Sequence, residues 1–217
     1  MSLGTSEMKV LLADDHALFR EGVRMVLETM VEEPLTVVEA CDFPQVLAQV
    51  HATPDFDVAL VDLAMPGMDG VSAIGAIRRA APDLYLVVVS ASEDPQMVRR
   101  ALDAGAHGYI SKSAGSTQMM KGIRSVLSGE SFVAPPAAAA AAAAQPGDFN
   151  AERLRTLLTP RQRDVLAMLR QGKSNKEVAR DLNLAEITVK LHVTAILRSL
   201  GCENRTQAAI LAARMGL

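Results

Sequence analysis

Five side chains in this sequence are suited to a shared chemistry: Asp14, Asp15, Asp62, Ser90 and Lys112. They follow short apolar runs at 10–13, 58–61, 86–89 and 109–111, the patterning of strands buried on both faces. In a parallel α/β sheet the carboxyl ends of the strands share one edge, and ligands bind there. Groups as far apart in sequence as Asp14 and Lys112 can therefore meet. Three carboxylates suit a hard divalent cation, and a hydroxyl with an ammonium suits a phosphoryl group.

The elements that must position these groups are legible between them. Strands are predicted at 9–13, 36–40, 58–63, 85–90 and 107–111, with helices filling the spaces. Residues 16–30 place Phe19, Val23, Val26, Leu27 and Met30 at helical period, and 70–81, 95–104 and 116–128 have matching lengths. Five β-α units imply a five-stranded, parallel, doubly wound sheet covered on both faces.

The chain has 217 residues, enough for two domains, and 49% of them are hydrophobic, enough for two cores. Its net charge of -3 conceals an asymmetry. Residues 1–129 carry 10 Lys or Arg against 17 Asp or Glu, whereas 151–217 carry 12 against 6. An acidic half joined to a basic half predicts that only the second meets a polyanion. Cys41 and Cys202 fit no disulfide or metal spacing, so a reduced cytoplasmic chain is expected. Nothing reads as a signal peptide or a membrane span, and no membrane partner is expected.

Three regions are expected: a domain at 8–129, a Pro/Ala-rich linker at 130–150 and an all-α domain at 151–217. The linker contains Pro135, Pro136 and eight alanines from 137 to 144, too short a tract for a stable isolated helix, so it reads as a fluctuating spacer. The last region is punctuated as four helices. Thr159 with Pro160 and Gln162, and Ser174 with Glu177, form capping boxes; Asn183 and Gly201 suit left-handed helix ends; Asn204 caps a final helix.

The two helices around Asn183 form a candidate helix-turn-helix, whose second helix would lie in a DNA major groove. On that helix Val189, Val193, Ile196 and Leu200 form a core-facing stripe, leaving Lys190, Leu191, Thr194 and Arg198 outward. Lys190 can donate to a guanine or a phosphate, and Leu191 and Thr194 can touch thymine methyls. Lys176 and Thr188 lie near helix N-termini that suit phosphate oxygens.

The motifs Leu158-Thr-Pro-Arg-Gln-Arg, Ser174-Asn-Lys-Glu-Val-Ala, Thr188-Val-Lys-Leu-His and Asn204-Arg-Thr-Gln-Ala closely resemble the LuxR-type DNA-binding domain over about residues 155–217. The resemblance implies Lys190, Leu191 and Thr194 as base readers and Lys176, Thr188 and Arg198 as backbone contacts. It also implies that the last helix supplies much of a DNA-bound dimer interface. Ala185 departs from the family, which usually has Ser or Thr there, and loss of an N-cap hydroxyl typically costs ~1 kcal/mol.

Leu12-Ala-Asp-Asp-His, Val61-Asp-Leu-Ala-Met-Pro-Gly, Val89-Ser-Ala and Gly105-Ala-His-Gly-Tyr-Ile-Ser-Lys resemble the receiver domain of bacterial response regulators. Together with the basic domain they resemble the NarL/FixJ family. That resemblance implies Asp62 as phosphoacceptor for a sensor histidine kinase. Mg²⁺ would be held by Asp15, Asp62 and the Ala64 carbonyl, with Asp14 acting through a bound water. Lys112 would pair with the phosphoryl oxygens. Ser90 and Tyr109 would form the switch, Tyr109 rotating inward once Ser90 engages the phosphoryl group. Phosphorylation would control homodimer formation and binding to double-stranded DNA. The protein is thus expected to be a transcription regulator, not an enzyme.

Ser113 stands where many receivers have Pro. His16, His51, His107 and His192 show no metal spacing and read as surface or packing groups, His192 also as a phosphate contact. Met65, Met68, Met97, Met119 and Met120 read as gap filling. Two rival functions are a phosphate-independent interaction module and an aspartyl-phosphate hydrolase. The second would need an acid where this chain has Ala64.

Overall fold

In a computed structural model, five strands alternate with five helices before a separate helical cluster. The structure describes residues 7–31, 34–53, 55–113, 115–127 and 158–214; the expected linker lies outside them. The strands are β1 (Met8–Ala13), β2 (Leu35–Ala40), β3 (Val58–Val61), β4 (Tyr85–Ser90) and β5 (Gly108–Ser111). The helices between and after them are α1 (Ala17–Met30), α2 (Phe43–Ala52), α3 (Val71–Ala80), α4 (Pro95–Asp103) and α5 (Gly115–Leu127). All strand pairs are parallel, in the order β2-β1-β3-β4-β5.

Alternation along each strand builds two cores. Leu11, Ala13, Ala59, Val61, Leu86, Val88 and Tyr109 face one way, against Val46, Ile74, Ile77, Val98 and Ala101 of α2, α3 and α4. Met8, Val10, Leu12, Val58, Leu60, Val87 and Ile110 face the other, against Val23 and Leu27 of α1 and Met119, Ile123 and Val126 of α5. Strands buried on both faces read as continuous apolar runs for this reason. The chain order reverses between β1 and β3, which opens a crevice at their carboxyl ends.

The helical cluster comprises α6 (Pro160–Arg170), α7 (Asn175–Leu182), α8 (Glu186–Leu200) and α9 (Arg205–Arg214). Both capping boxes form as expected. Asn183 and Gly201 adopt φ of 53° and 62°, the left-handed conformation that ends a helix. Asn204 Oδ1 accepts from Gln207 N at 3.0 Å. Val165, Leu166, Leu169, Val178, Val189, Ile196 and Leu200 form the core, with Val193 partly buried beside them. Ala185, the N-cap of α8, makes no side-chain cap bond. It is instead fully buried, within the second core of the sheet.

Candidate functional site

The strand ends bring the expected acidic and basic groups together. Asp14 follows β1 and Asp62 follows β3, and the Asp62 amide donates to the Ala13 carbonyl at 2.9 Å, extending the ladder by one residue. Asp14 is fully buried and Asp62 nearly so. Between them lies the Lys112 ammonium, 2.5 Å from Asp14 Oδ2 and 2.6 Å from Asp62 Oδ2. Burial pulls the Lys112 pKa down, but hydrogen bonds and charge from Asp14 and Asp62 outweigh it, so the net shift is upward. Lys112 also lies 4.7 Å from the centroid of the Phe19 ring, a cation-π contact from α1. The Ala64 amide donates to Asp62 Oδ1 at 3.0 Å and orients the carboxylate.

Asp15 is exposed beside Asp14, and His16 joins the cluster. Its Nδ1 is 2.8 Å from Asp15 Oδ1 and 3.2 Å from Asp14 Oδ1. Sequence reasoning placed His16 among surface or packing groups because no second histidine stands at ligand spacing. Its place directly after the two aspartates, on a tight β-α turn, was the available signal.

Ser90 ends β4 and is buried; its Oγ accepts from Ser92 N at 3.2 Å. Tyr109 does not await an inward rotation. It is already fully buried in the core, and its hydroxyl donates to the Ser92 carbonyl at 2.7 Å. Two more bonds lace the same loop to the end of β5. Ser111 Oγ donates to Glu93 Oε1 at 2.9 Å, and Ser113 Oγ donates to the Ala91 carbonyl at 2.6 Å. The hydroxyl of Ser113 thus ties down the segment next to Lys112.

The opposite edge of the sheet carries the second set of expected site residues. Leu191 points away from its own helical core, yet it is fully buried, packed with Ala185 and Ala195 into the core beneath α1 and α5. Thr188 is buried too, with its side chain against the Asp57 carboxyl that precedes β3. Arg198 reaches over the start of β5 and donates to the His107 carbonyl at 3.0 Å. Asp83, before β4, accepts from the Arg161 amide at the start of α6 at 3.2 Å. Of the remaining candidates, Lys176 is exposed, Thr194 is half-buried, and Lys190 is half-buried and paired with Glu186 at 3.3 Å. At the expected outward face of α8, Leu191 is therefore covered by the other domain, while Arg198 stays exposed.

This seam is rich in perturbed groups. Burial pushes the Asp57 carboxyl up to about 6, against the lowering effect of the Lys9 amide and the Thr188 side chain. Burial takes His107 down to about 3, helped by the positive charges of Arg78 and Arg198 and by His192. His192 falls to about 4 through burial, with Asp83 opposing. The His107 ring stacks on Tyr85 at 4.5 Å and its Nδ1 accepts from Leu86 N at 3.0 Å, so the imidazole is neutral.

Comparison with known proteins identifies both domains. Residues 10–124 match the response regulator receiver domain family, and residues 156–212 match the bacterial regulatory proteins of the luxR family. The chain belongs to the response regulators of the NarL type. It is 38% identical over 210 residues to the glycerol metabolism activator of Pseudomonas putida, covering 94% of each chain. It is 33% identical over 202 residues to the nitrate/nitrite response regulator NarL of Escherichia coli K12, covering 93% of each. Among solved structures, RcsB of Salmonella enterica serovar Typhimurium, bound to the promoter P1flhDC with a phosphomimetic BeF3-, aligns at a TM-score of 0.52 and 26% identity. That alignment covers 97% of this chain and 99% of RcsB. The family consists of two-component response regulators that bind DNA and regulate transcription. Among the described residues no helix is long and apolar enough to cross a membrane.

Proposed function

We propose that this regulator accepts a phosphoryl group on Asp62 from a sensor histidine kinase in the bacterial cytoplasm, and that the present conformation is its DNA-incompetent state. The observation that carries the reading is the burial of Leu191 and Thr188, candidate DNA contacts, against the receiver. A helix cannot enter a major groove while its reading face is packed on protein.

Asp62 would attack the phosphorus of the kinase phosphohistidine. A P–O bond forms as the P–N bond breaks, and the imidazole leaves with a proton from solvent. Asp14, Asp15 and Asp62, with the Ala64 carbonyl, would hold Mg²⁺. The donor set fits, since one carboxylate oxygen from each of Asp14, Asp15 and Asp62 lies within 4.8 Å of the others. Bound there, the cation supplies charge neutralisation for an anionic carboxylate meeting an anionic donor. Lys112, released from Asp62 by the new charge, pairs with phosphoryl oxygens. Ser90 swings from Ser92 N toward the phosphoryl group, which loosens the laced loop of residues 90–94 that Tyr109, Ser111 and Ser113 hold.

Opening frees Thr188, Lys190, Leu191, Thr194 and Arg198 for base and phosphate contacts, with Lys176 at the start of α7. Ile210 on α9 is half exposed, an apolar position suited to a second copy of the chain, so the open form binds paired half-sites as a homodimer. The test is DNA affinity and solution size with and without beryllofluoride and Mg²⁺. Tighter binding with an expanded or dimeric particle is the expected result; equal affinity in both states, or an Asp62→Asn chain that still responds, sinks the reading.

A further inference from the structure

Ser113 makes a hydrogen bond that its exposed position does not require. A surface serine hydroxyl can be satisfied by water, yet this one donates to the Ala91 carbonyl at 2.6 Å, across 22 residues of sequence. The Ser113 amide donates to Ser111 Oγ at 3.1 Å, and Ser111 Oγ donates in turn to Glu93 Oε1 at 2.9 Å. Ser111 is buried at the end of β5, so its hydroxyl is held both as acceptor and as donor. A proline at 113 could make neither the amide bond nor the hydroxyl bond.

These bonds converge on the loop after β4. Ser90 pairs with Ser111 in the sheet, and the Lys112 amide donates to the Ser90 carbonyl at 2.8 Å, so the strand ladder fixes the backbone as far as Ser90. Beyond it, side chains hold the loop: Ser113 takes the Ala91 carbonyl, Tyr109 takes the Ser92 carbonyl and Ser111 takes the Glu93 carboxylate. Strand alternation puts 109, 111 and 113 on one face of β5 and the residues that follow it, which is why three successive loop residues can each find one of them. Tyr109 is buried in the core, whereas Ser113 and Glu93 are exposed and can let go without opening it.

We infer that Ser113, with Ser111 and Glu93, forms a latch on residues 91–93 that sets how readily this regulator adopts its phosphoryl-bound form. The inference rests on the proposed reading that Ser90 swings toward a phosphoryl group on Asp62. That swing draws the Ala91 carbonyl, in the next residue, away from the Ser113 hydroxyl. A bond made only in the resting form favours that form, so it lowers the affinity for a phosphoryl group without touching it. Ser113 is therefore a positioning residue of the resting state. Loss of one such bond shifts the balance by about two- to tenfold.

The test uses the full chain with Mg²⁺ and beryllofluoride, read by calorimetry and by hydrogen exchange of residues 90–94. Ser113→Ala is expected to bind beryllofluoride about two- to tenfold more tightly than wild type, and to exchange the loop amides faster before it binds. Glu93→Ala, which breaks the latch at its other end, is expected to tighten binding in the same way. Ser113→Thr keeps a hydroxyl and is expected to restore wild-type affinity. A gain in affinity is a result that mere loss of structure would not give. Unchanged or weaker binding by Ser113→Ala or Glu93→Ala, or a Thr chain indistinguishable from the Ala chain, overturns the latch and leaves the acceptor site standing. Wild type that binds no beryllofluoride overturns the acceptor reading itself.

Discussion

One sheet carries two edges built on opposite principles. At the carboxyl ends of the strands, Asp14, Asp62 and Lys112 keep charge against charge at 2.5 and 2.6 Å. At the amino ends, Leu191, Ala185 and Ala195 extend the receiver's own core, with Asp57, His107, His192 and Arg198 placed around them. The first edge gains or loses energy steeply when one charge is added. The second is held by apolar area, which responds to shape and not to charge. A switch needs both, since a charge event must be converted into separation of a greasy contact.

The largest effect that would test this contrast is at the first edge. Asp62→Asn is expected to abolish phosphoryl uptake from acetyl phosphate with Mg²⁺, read as the absence of one added phosphoryl group in the intact mass. Next, Leu191→Ala should loosen the second edge by about 2–3 kcal/mol, the order for removing a buried leucine side chain, without altering phosphoryl uptake. Small-angle scattering of the unphosphorylated chain should then report an expanded particle; an unchanged radius of gyration would mean that the apolar contact does not hold the domains together.

A smaller, pH-dependent effect should come from Asp57. Its pKa in the docked state is raised from 3.8 to about 6, so its contribution to closure is present below about pH 4 and lost as pH rises through 6. Above pH 6 the ionised carboxylate opposes docking. Asp57→Asn keeps an acceptor for the Lys9 amide and is expected to protect the seam from hydrogen exchange at pH 7.5, but not at pH 4. His107 and His192 work the other way: their lowered values of about 3 and 4 mean that closure is favoured above 6.5 and weakened as pH falls. Least of all, Arg198→Ala should shift opening by only about threefold to tenfold, the scale of one hydrogen bond to an exposed guanidinium. If it opened the chain as fully as Leu191→Ala, the ranking of apolar over polar contacts at this edge would be wrong.

The first edge was legible because each of its groups ends an apolar run, and the strand ladder needs no side-chain detail to bring Asp14, Asp62 and Lys112 to one side. The helix ends were legible because capping is local chemistry, as Thr159, Ser174 and Asn183 illustrate. Tyr109 was misplaced because its rotamer is decided by Ser92, 17 residues away, through a bond that no local pattern encodes. The docking of α8 was missed for the same reason. Even so, Ala185, Leu191 and Ala195 are apolar at positions turned from their own domain's core, and that second stripe was a readable sign of a partner surface.

β5 is an edge strand of four residues, bonded to β4 alone within the sheet. Arg198 grips the carbonyl just before it, and Lys112 just after it holds both carboxylates, roughly 17 Å apart along an extended chain. Whatever free energy links those two grips must act equally in both directions. DNA that captures α8 is then itself an effector of the acidic site, so a regulator seated on its operator should hold a phosphoryl mimic more tightly than one free in solution.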